Sequence, residues 1–330
     1  MRCLITGASG FVGGHIAEAL TRRGWPVAAI VRPVSDAAFL EKLGVTILRG
    51  QISDASLVGK AVQETDAVIH CAAKVGDWGP VEEYRAANVD SLRVLLDACK
   101  GQPITRFVHM SSLGVYPMRH HHGSDETYRL PRKHWDGYSQ SKVEAEQLVL
   151  KYYRDFGVPV VALRPGFVYG PRDRTVMHKL IQGLRDGKVR YPGGGHGAMN
   201  TIFVRNLVDA VLLALENQKA IGQVYNLTDG EYVSKRRFCE TVADAFGIPH
   251  PTRTPPFWLA YVVTWWFEKR ARMRGDKDPP KFNFPRLKFF GYSLDFSIDK
   301  ARRELGYQPR VNFKDAMAET MAWYKQEMKA

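Results

Sequence analysis

The sequence predicts an α/β fold, in which a doubly wound parallel sheet with helices on both faces is joined to a smaller, mostly C-terminal lobe. Two observations predict it. Short apolar runs, "RCLITG", "VAAIVR", "VTILRG", "AVIHCAA", "RFVHMSS" and "VVALRPG", alternate with segments of helical periodicity such as 11–23 and 82–100. Strands that alternate with helices predict a parallel sheet. Gly24 and Gly157 precede strands, where glycine commonly ends the helix before.

The pattern becomes irregular after Pro165, and this change places the predicted boundary. The segments "RPGFVYGPRDR" and "RYPGGGHGAMN" are rich in turn residues, whereas 204–216 has helical periodicity and "GQVYNLT" resembles another strand. The tail is expected to end in a helix. We therefore predict a sheet domain over 1–165, to which 201–226 returns, and a substrate-binding lobe over 166–200 and 227–330.

Composition limits the partners without selecting one. The 330 residues are 45% hydrophobic and 25% charged, with a net charge of +13, which suits a soluble chain with an anionic partner. A phosphate-bearing cofactor, a membrane surface and nucleic acid all meet that description, but no nucleic-acid motif is present, so we expect no nucleic-acid partner. The four cysteines form no C-x-x-C pair and are expected to be free buried thiols. No signal peptide precedes the first strand, so we expect a cytoplasmic protein.

A glycine motif opens the chain. "TGASGFVGG" begins at Thr6, directly after the first strand and before an amphipathic helix, with Gly7, Gly10 and Gly13 in the spacing G-x-x-G-x-x-G. Glycine lets the backbone turn sharply and approach a pyrophosphate at the helix N-terminus. In this context the motif predicts a dinucleotide site.

The residue after the second strand indicates which dinucleotide binds. An acidic residue there would bind the ribose 2′-hydroxyl of NAD, but the sequence has Arg32, whose guanidinium can bind the 2′-phosphate of NADP. Asp36 follows and could still serve a ribose, and Arg32 could instead stack on adenine. We favour NADP(H) and keep NAD(H) as the alternative.

Five segments together resemble the extended branch of the short-chain dehydrogenase/reductase superfamily: "TGASGFVG" at 6–13, "HCAA" at 70–73, "VHMSSLGVY" at 108–116, "YSQSK" at 138–142 and "LRPGFVYGP" at 163–171. The resemblance implies that the sheet domain is an NAD(P)-binding Rossmann domain with a catalytic Ser-Tyr-Lys group. The expected cofactor residues are Gly7, Ser9, Gly10, Phe11, Val12, Gly13, Arg32, Gln51, Ile52, Ala72, Ala73, Lys74, Tyr138, Lys142, Pro165, Gly166 and Val168. Two positions depart from the family pattern, Gln51 and Arg205, where relatives often carry Asp.

The expected catalytic pair is Tyr138 and Lys142, four residues apart on one helix face. A neighbouring cation favours the phenolate, so we expect the pKa of Tyr138 to be lowered, which would suit it to proton transfer. The resemblance places the catalytic hydroxyl at Ser112, with Ser111 as the alternative, and gives Asn88 a supporting role.

Two histidine groups carry no predicted chemistry. The run at 120–122 suggests a metal site, but no second ligand cluster accompanies it, so we expect a solvated loop and no metal. His70 and His109 fall in strand runs and are expected to be core residues.

The segment 257–274 begins with the apolar stretch "FWLAYVVTWWF", which is too short to span a bilayer, and continues with basic residues. It suits an interfacial membrane helix, a wall of an apolar pocket or a dimer face. The resemblance also implies a homodimer through core helices, one of them carrying Tyr138.

Within the extended branch the chain is closest in style to the 3β-hydroxysteroid and sterol dehydrogenase subgroup. We therefore expect an enzyme that interconverts a secondary alcohol and a ketone on a hydrophobic, steroid-like substrate. The alternative is a nucleotide-sugar epimerase with tightly bound NAD, because epimerases share the Ser-Tyr-Lys group. A non-catalytic cofactor-binding protein is disfavoured because Tyr138 and Lys142 are both present.

Overall fold

The computed structural model describes residues 1–328 and confirms the predicted α/β fold. The strands are β1 (Cys3–Thr6), β2 (Val27–Val31), β3 (Thr46–Arg49), β4 (Ala67–His70), β5 (Arg106–Met110), β6 (His121–Ser124), β7 (Val160–Pro165), β8 (Phe167–Tyr169), β9 (Thr201–Phe203), β10 (Val224–Leu227) and β11 (Leu294–Phe296). Each of the seven strands predicted from the sequence is present.

The helices include all those predicted and several that the sequence did not indicate. They are α1 (Phe11–Arg22), α2 (Ala38–Lys42), α3 (Ala55–Gln63), α4 (Val81–Arg85), α5 (Ser91–Cys99), α6 (Gly137–Phe156), α7 (Val176–Arg185), α8 (Val204–Glu216), α9 (Lys235–Phe246), α10 (Phe257–Arg274), α11 (Phe284–Gly291) and α12 (Phe313–Glu327). Within residues 1–328, none of them is both long and apolar enough to cross a bilayer.

Seven strands form one parallel sheet in the order β10-β7-β5-β4-β1-β2-β3. Helices α1 and α8 cover one face, where Ile16, Leu20 and Val211 are buried. Helices α3, α5 and α6 cover the other face. The order reverses at β1, and ligands of such sheets bind where the strands end beside that reversal.

The sheet domain also receives residues from the distal part of the chain. Strand β10 pairs with β7, and Val224 is opposite Ala162. Ile298, Leu305 and Tyr307 pack into the same core as α1 and α8. The domain boundaries given above stay a prediction. The last part of the chain contributes residues to the core of the sheet domain as well as to the lobe.

The predicted helix over 82–100 is interrupted. A π-helical turn, Ala86–Asp90, separates α4 from α5. Such a turn inserts one extra residue and commonly marks a functional position. Here it directs Asn88 into the protein, where the side chain is 2% exposed.

The lobe has two apolar cores. One forms around α7, α9 and α12. The other joins α11 and the short pair β6–β11 to residues 113–116, which follow strand β5. The second core therefore places lobe residues directly against the segment that carries Ser112.

The histidine run is only in part the solvated loop that the sequence predicts, because His120 and His122 are exposed and His121 is not. His121 begins β6, which pairs in parallel with β11, and its side chain is 1% exposed. Its ring contacts Phe296 at a centroid distance of 4.7 Å. Its Nε2–H donates to the Pro117 carbonyl at 3.0 Å, and its Nδ1 lies 2.9 Å from Ser124 Oγ. His121 is buried because the distant strand β11, which local sequence does not reveal, covers it.

Candidate functional site

The glycine turn between β1 and α1 leaves space that only glycine allows. Gly7 has a φ of 76°, and a Cβ there would lie 2.7 Å from the Ala72 nitrogen. A Cβ at Gly13 would lie 2.3 Å from the Gly7 carbonyl oxygen. Helix α1 begins after Gly10 without a side-chain cap, so its first N–H groups are available to an anion. This cradle fits a pyrophosphate.

The other predicted residues of the turn border this cradle. Ser9 and Gly10 are exposed, whereas Phe11 and Val12 are partly buried and pack against the lobe core and the sheet core respectively. The exposed Ser9 and Gly10 therefore leave the backbone of the turn accessible, whereas the side chains of Phe11 and Val12 anchor the turn to the two cores.

The ends of β2 and β3 lie side by side beyond this turn. Arg32 is exposed, and no carboxylate of residues 1–328 pairs with its guanidinium. The Asp36 carboxylate accepts a hydrogen bond from the Ala38 nitrogen at 2.9 Å and is thus used at the start of α2. Gln51 is exposed beside the partly buried Ile52. The end of β2 thus presents a cation, which fits a phosphate better than a bare ribose.

Asn88 ties the segment after β4 to helix α6. Its Oδ1 accepts a hydrogen bond from the Lys74 nitrogen at 2.6 Å, and its Nδ2 donates to the Lys74 carbonyl at 3.0 Å and to Ser141 Oγ at 2.9 Å. Ala72 contacts the glycine turn, and Ala73 is also only partly buried. The structure therefore brings the predicted cofactor residues 72–74 between the glycine turn and the helix that carries Tyr138.

Ser112 and Tyr138 meet at Gly114. Ser112 ends the extended segment after β5, and its Oγ accepts the Gly114 N–H at 2.9 Å. A Cβ at Gly114 would lie 3.1 Å from Ser112 Oγ and 3.7 Å from Tyr138 Cε1. Ser111 points elsewhere, because its buried hydroxyl donates to Glu146 Oε2 at 2.7 Å. The geometry therefore favours Ser112 over Ser111 as the hydroxyl that accompanies Tyr138.

The pKa of Tyr138 is raised, so the expected lowering is wrong for this arrangement. Burial of the phenol is the largest cause, and the hydrogen bond with Ser112 opposes it. Lys142 Nζ lies 5.9 Å from the Tyr138 ring centroid and donates to the Met110 carbonyl at 2.7 Å. The ammonium is thus close to the ring but bonded to strand β5, and desolvation has the larger effect on the phenol.

Lys142 is itself deeply enclosed. Its side chain is 5% exposed, and burial lowers its pKa to about 8, against smaller raising effects of Cys71 and Glu146. Helix α6 is fixed at its start, where the Asp136 carboxylate accepts the Ser139 N–H at 2.8 Å. Tyr138 and Lys142, the pair predicted from the spacing, therefore lie on one helix that is capped at its start, and their side chains are mostly buried.

Two neutral histidines stand near this ammonium. His70 and His109 stack at a centroid distance of 5.6 Å, and His70 Nδ1 is 2.8 Å from Thr6 Oγ1. Burial lowers both pKa values, that of His70 to about 3, and Lys142 lowers them further. Their core position agrees with the sequence prediction, whereas their proximity to Lys142 follows from the alignment of β4 and β5 and was not predicted.

The end of β7 carries the last predicted cofactor residues. Pro165 is buried, Gly166 and Val168 are partly buried, and a Cβ at Gly166 would lie 1.9 Å from the Asn200 carbonyl oxygen. Only glycine therefore lets the chain pass from the sheet into the lobe here. The next ring, Phe167, packs on Phe289 of α11 at 5.0 Å.

Lys288 of α11 was not anticipated by the sequence analysis. Its Nζ donates to the Gly114 carbonyl at 3.1 Å and to the Tyr116 carbonyl at 2.7 Å, and burial lowers its pKa to about 8. It therefore links the lobe to the turn that holds Ser112. No local signal distinguishes this lysine from the others of the basic tail.

Arg205, the second departure from the family pattern, lies away from these residues. It pairs with Glu319 of α12 and lies over the Phe203 ring at 5.3 Å. The arginine thus joins α8 to the C-terminal helix. Within residues 1–328, no group of three or more potential ligand side chains is placed to hold a metal.

Comparison with known proteins identifies the family of the chain. A model of the "NAD dependent epimerase/dehydratase family" matches residues 3–228, which include the glycine turn, Ser112, Tyr138 and Lys142. That match covers the whole seven-stranded sheet.

Three relatives match over nearly their full length. A 4-hydroxy-2-methyl-3-oxo-4-farnesyl-3,4-dihydroquinoline-1-oxide ketoreductase of Stigmatella aurantiaca is 32% identical, over 96% of this chain and 95% of the relative. A 2-alkyl-3-oxoalkanoate reductase of Stenotrophomonas maltophilia is 30% identical, over 96% and 97%. A 3 beta-hydroxysteroid dehydrogenase/Delta 5-->4-isomerase of Mycobacterium tuberculosis is 32% identical, over 98% and 90%.

Solved structures show the same architecture. The crystal structure of gox2253 superposes with a TM-score of 0.84 at 30% identity, over 99% of this chain and 98% of the other. The UDP-glucuronic acid 4-epimerase of Bacillus cereus reaches a TM-score of 0.78 at 24% identity, over 99% and 100%, a likeness of fold alone. The chain is therefore an NAD(P)-dependent oxidoreductase of the short-chain dehydrogenase/reductase type and belongs to the NAD dependent epimerase/dehydratase family.

Proposed function

We propose that the protein is an NADP(H)-dependent enzyme that reduces a ketone, or oxidises the corresponding secondary alcohol, on a hydrophobic substrate. The observation that carries the proposal is the meeting of the Ser112 hydroxyl and the Tyr138 ring at Gly114, one helical turn from the buried Lys142. A bound nicotinamide supplies the hydride in the reductive direction. The side chains then have to hold the substrate oxygen and protonate it.

Tyr138 is the proton donor of this mechanism. Because burial raises its pKa, the phenol is neutral at working pH and carries the proton that the reduced oxygen needs. The Gly114 N–H holds Ser112 Oγ beside the Tyr138 ring, and a substrate oxygen bound between them would take the hydroxyl hydrogen of Ser112 as negative charge develops.

Lys142 acts after the proton has left. The phenolate that remains on Tyr138 lies beneath an ammonium 5.9 Å from the ring centroid, which favours the charged form of the tyrosine. The Met110 carbonyl holds that ammonium in place. Alcohol oxidation uses the same groups in reverse, with Tyr138 accepting the proton.

The apolar character of the substrate is supported by aromatic side chains of the lobe next to two residues of the site, since Phe167 follows Gly166 and Phe289 follows Lys288. Phe167 packs on Phe289 at 5.0 Å, and Phe257 packs on Tyr292 at 4.9 Å. These rings offer few polar groups to a sugar diphosphate. The names of the relatives, a farnesyl-bearing ketone, a 2-alkyl-3-oxoalkanoate and a steroid, support the same class of substrate.

The test of the chemistry is Tyr138→Phe, measured as reduction of a panel of hydrophobic ketones with cofactor binding followed by fluorescence. We expect unchanged cofactor affinity and a loss of kcat of about 100-fold or more, because the variant removes the proton donor. Tyr153→Phe is the matched control, on the same helix but with its ring 38% exposed. Retained turnover in Tyr138→Phe would overturn the mechanism.

The preference for NADP(H) is supported by Arg32. Its guanidinium has no carboxylate partner within residues 1–328, and it follows the second strand, where the residue that recognises the ribose 2′ position is found in such folds. The Arg32→Asp variant is expected to shift the ratio of kcat/KM for NADPH over NADH toward NADH by about tenfold or more, since it removes a charge-assisted contact. An unchanged ratio would show that Arg32 does not select the cofactor.

The alternative is a nucleotide-sugar epimerase with retained NAD, which would use the same Ser112, Tyr138 and Lys142. The two functions differ in how they use cofactor. We expect purified protein to need added NADPH for turnover. Stoichiometric NAD released on denaturation, together with epimerisation of a UDP-sugar in the absence of added cofactor, would replace the proposal.

A further inference from the structure

Helix α10 buries two polar residues and exposes most of its large apolar residues. Thr264, Glu268 and Ala271 are buried, between 2% and 3% exposed. In the first part of the helix, 257–267, the large apolar side chains that reach solvent are Trp258 (67% exposed), Val262 (52%), Trp266 (48%), Trp265 (42%), Leu259 (40%) and Tyr261 (38%). We refer to these six residues as the outer face of α10. An ordinary surface helix of a globular protein has the opposite arrangement.

Specific polar contacts fix this orientation. Glu268 Oε1 accepts the Phe284 N–H at 2.7 Å, and Oε2 accepts the Trp135 Nε1–H at 2.9 Å. Trp135 in turn packs edge-on against Phe284 at 4.7 Å. Turning the apolar residues inward would break these bonds and leave the Phe284 N–H and the Trp135 Nε1–H without their acceptor, which is costly. The exposed outer face is therefore a stable feature of the fold.

Basic side chains lie next to the outer face of α10. Lys269 Nζ lies 4.8 Å from the Trp265 ring and Arg270 Cζ 5.2 Å from the Trp266 ring, so indoles and charges are adjacent. Both cations and the nearby Arg274 are exposed, and no carboxylate of residues 1–328 pairs with them. Arg132 and Lys133, which are likewise exposed, precede Trp135 in the loop bonded to Glu268.

We propose that the outer face of α10 docks the protein on an anionic membrane surface. Exposed tryptophans favour the boundary between acyl chains and headgroups, and adjacent lysine and arginine side chains attract anionic lipid. The first part of α10 is apolar and its last part basic, so the helix would place its indoles below the headgroups and its cations among them. The chain's net charge of +13 favours the same partner.

The docking surface adjoins the candidate site. Helix α10 packs on α11, and α11 carries Lys288, which is bonded to the turn that follows Ser112. A hydrophobic substrate dissolved in the bilayer would therefore be close to the lobe that covers the site. This step rests on the proposed function, whereas membrane docking does not.

The test is co-sedimentation with vesicles of phosphatidylcholine alone or mixed with phosphatidylglycerol. We expect binding only to the mixed vesicles, and weaker binding at high salt because ions screen surface charge. Trp265→Ser/Trp266→Ser should lower the partition coefficient about tenfold or more, because it removes two exposed indoles that would enter the membrane interface. Lys269→Ser/Arg270→Ser should lower it about 30-fold, from about fivefold for each cation near the surface.

The matched control is Lys60→Ser/Arg93→Ser, which removes the same charge from exposed positions on α3 and α5 and should leave vesicle binding within about twofold. All variants should retain their circular dichroism and their turnover of a water-soluble ketone. Equal loss in the control would show that net charge, and not this face, drives binding. Vesicle binding that the tryptophan variant does not weaken would overturn the proposal. So would a parent protein that binds no vesicles but forms a dimer that the tryptophan variant dissociates.

Discussion

The contact between Lys288 and the Ser112 turn leads to a specific prediction for Lys288→Met. The substitution keeps most of the apolar stem and removes the ammonium, so the Gly114 and Tyr116 carbonyls lose donors at 3.1 and 2.7 Å. Each unpaired carbonyl costs about 1–3 kcal/mol. Enclosure of the ammonium lowers its pKa from 10.5 to about 8. That shift corresponds to a cost of about 3 kcal/mol for the buried charge, which the variant no longer incurs.

These opposing effects are of similar size, so we expect the free energy of unfolding to change by less than about 3 kcal/mol. The variant should also slow catalysis, because the Gly114 N–H holds Ser112 Oγ and the turn is no longer fixed to α11. A displacement of about 1 Å at such a group costs up to about 100-fold, so kcat should fall about 10- to 100-fold with little change in the KM for cofactor.

The assay combines urea unfolding with steady-state kinetics on one ketone. Lys288→Arg retains donors for both carbonyls and should recover most of kcat. Lys300→Met is the control, since it removes a partly buried lysine bonded to Gln223 at the start of β10 instead of the catalytic turn. A Lys288→Met enzyme with kcat within about twofold of the parent would refute the idea that α11 positions Ser112.

Two further predictions concern stability. Glu146→Gln removes the charge partner of Arg164, both side chains being about 5% exposed or less, and should cost about 3–5 kcal/mol in urea unfolding. Glu216→Gln, in the exposed pair with Arg23, should cost less than about 1 kcal/mol. Equal losses of unfolding free energy in the two variants would contradict the argument that burial sets the cost. Burial lowers the pKa of His15 and His134 to about 4 and that of His70 to about 3. The unfolded chain therefore binds more protons below pH 6.5, and the free energy of unfolding should fall as the pH decreases toward 4, by up to about 1.4 kcal/mol per pH unit for each histidine. His134→Asn should give a shallower slope, and a flat pH profile in the parent would contradict the burial argument.

Local patterns were enough to predict the sheet and much of the candidate site. The glycine turn, the strand ends and the pair of Tyr138 and Lys142 are each encoded within a few residues. The start of α6 has its own local signal, the Asp136 cap. The order of these segments along the chain then gave the parallel sheet, because the crossover rule leaves few alternatives.

Features that depend on distant segments were either not predicted or predicted wrongly. Lys288 reaches Gly114 across 174 residues, and His121 is covered by a strand that begins at Leu294. The pKa of Tyr138 was predicted from one neighbour, Lys142, whereas burial by the assembled lobe and sheet has the larger effect. The π-helical turn at Asn88 likewise follows from bonds to Lys74 and Ser141, which the helical periodicity of 82–100 does not contain.

The pairing of β6 with β11 has a consequence for synthesis of the protein. Strand β6 ends at Ser124, and its partner begins at Leu294, about 170 residues later. At roughly 5–20 residues per second, a ribosome needs about 10–30 s to supply that partner. During this interval the apolar residues of 113–116 have no lobe to pack against. The nascent sheet domain therefore leaves the ribosome with the surface beside Ser112 uncovered, and that surface is where we expect chaperones to bind.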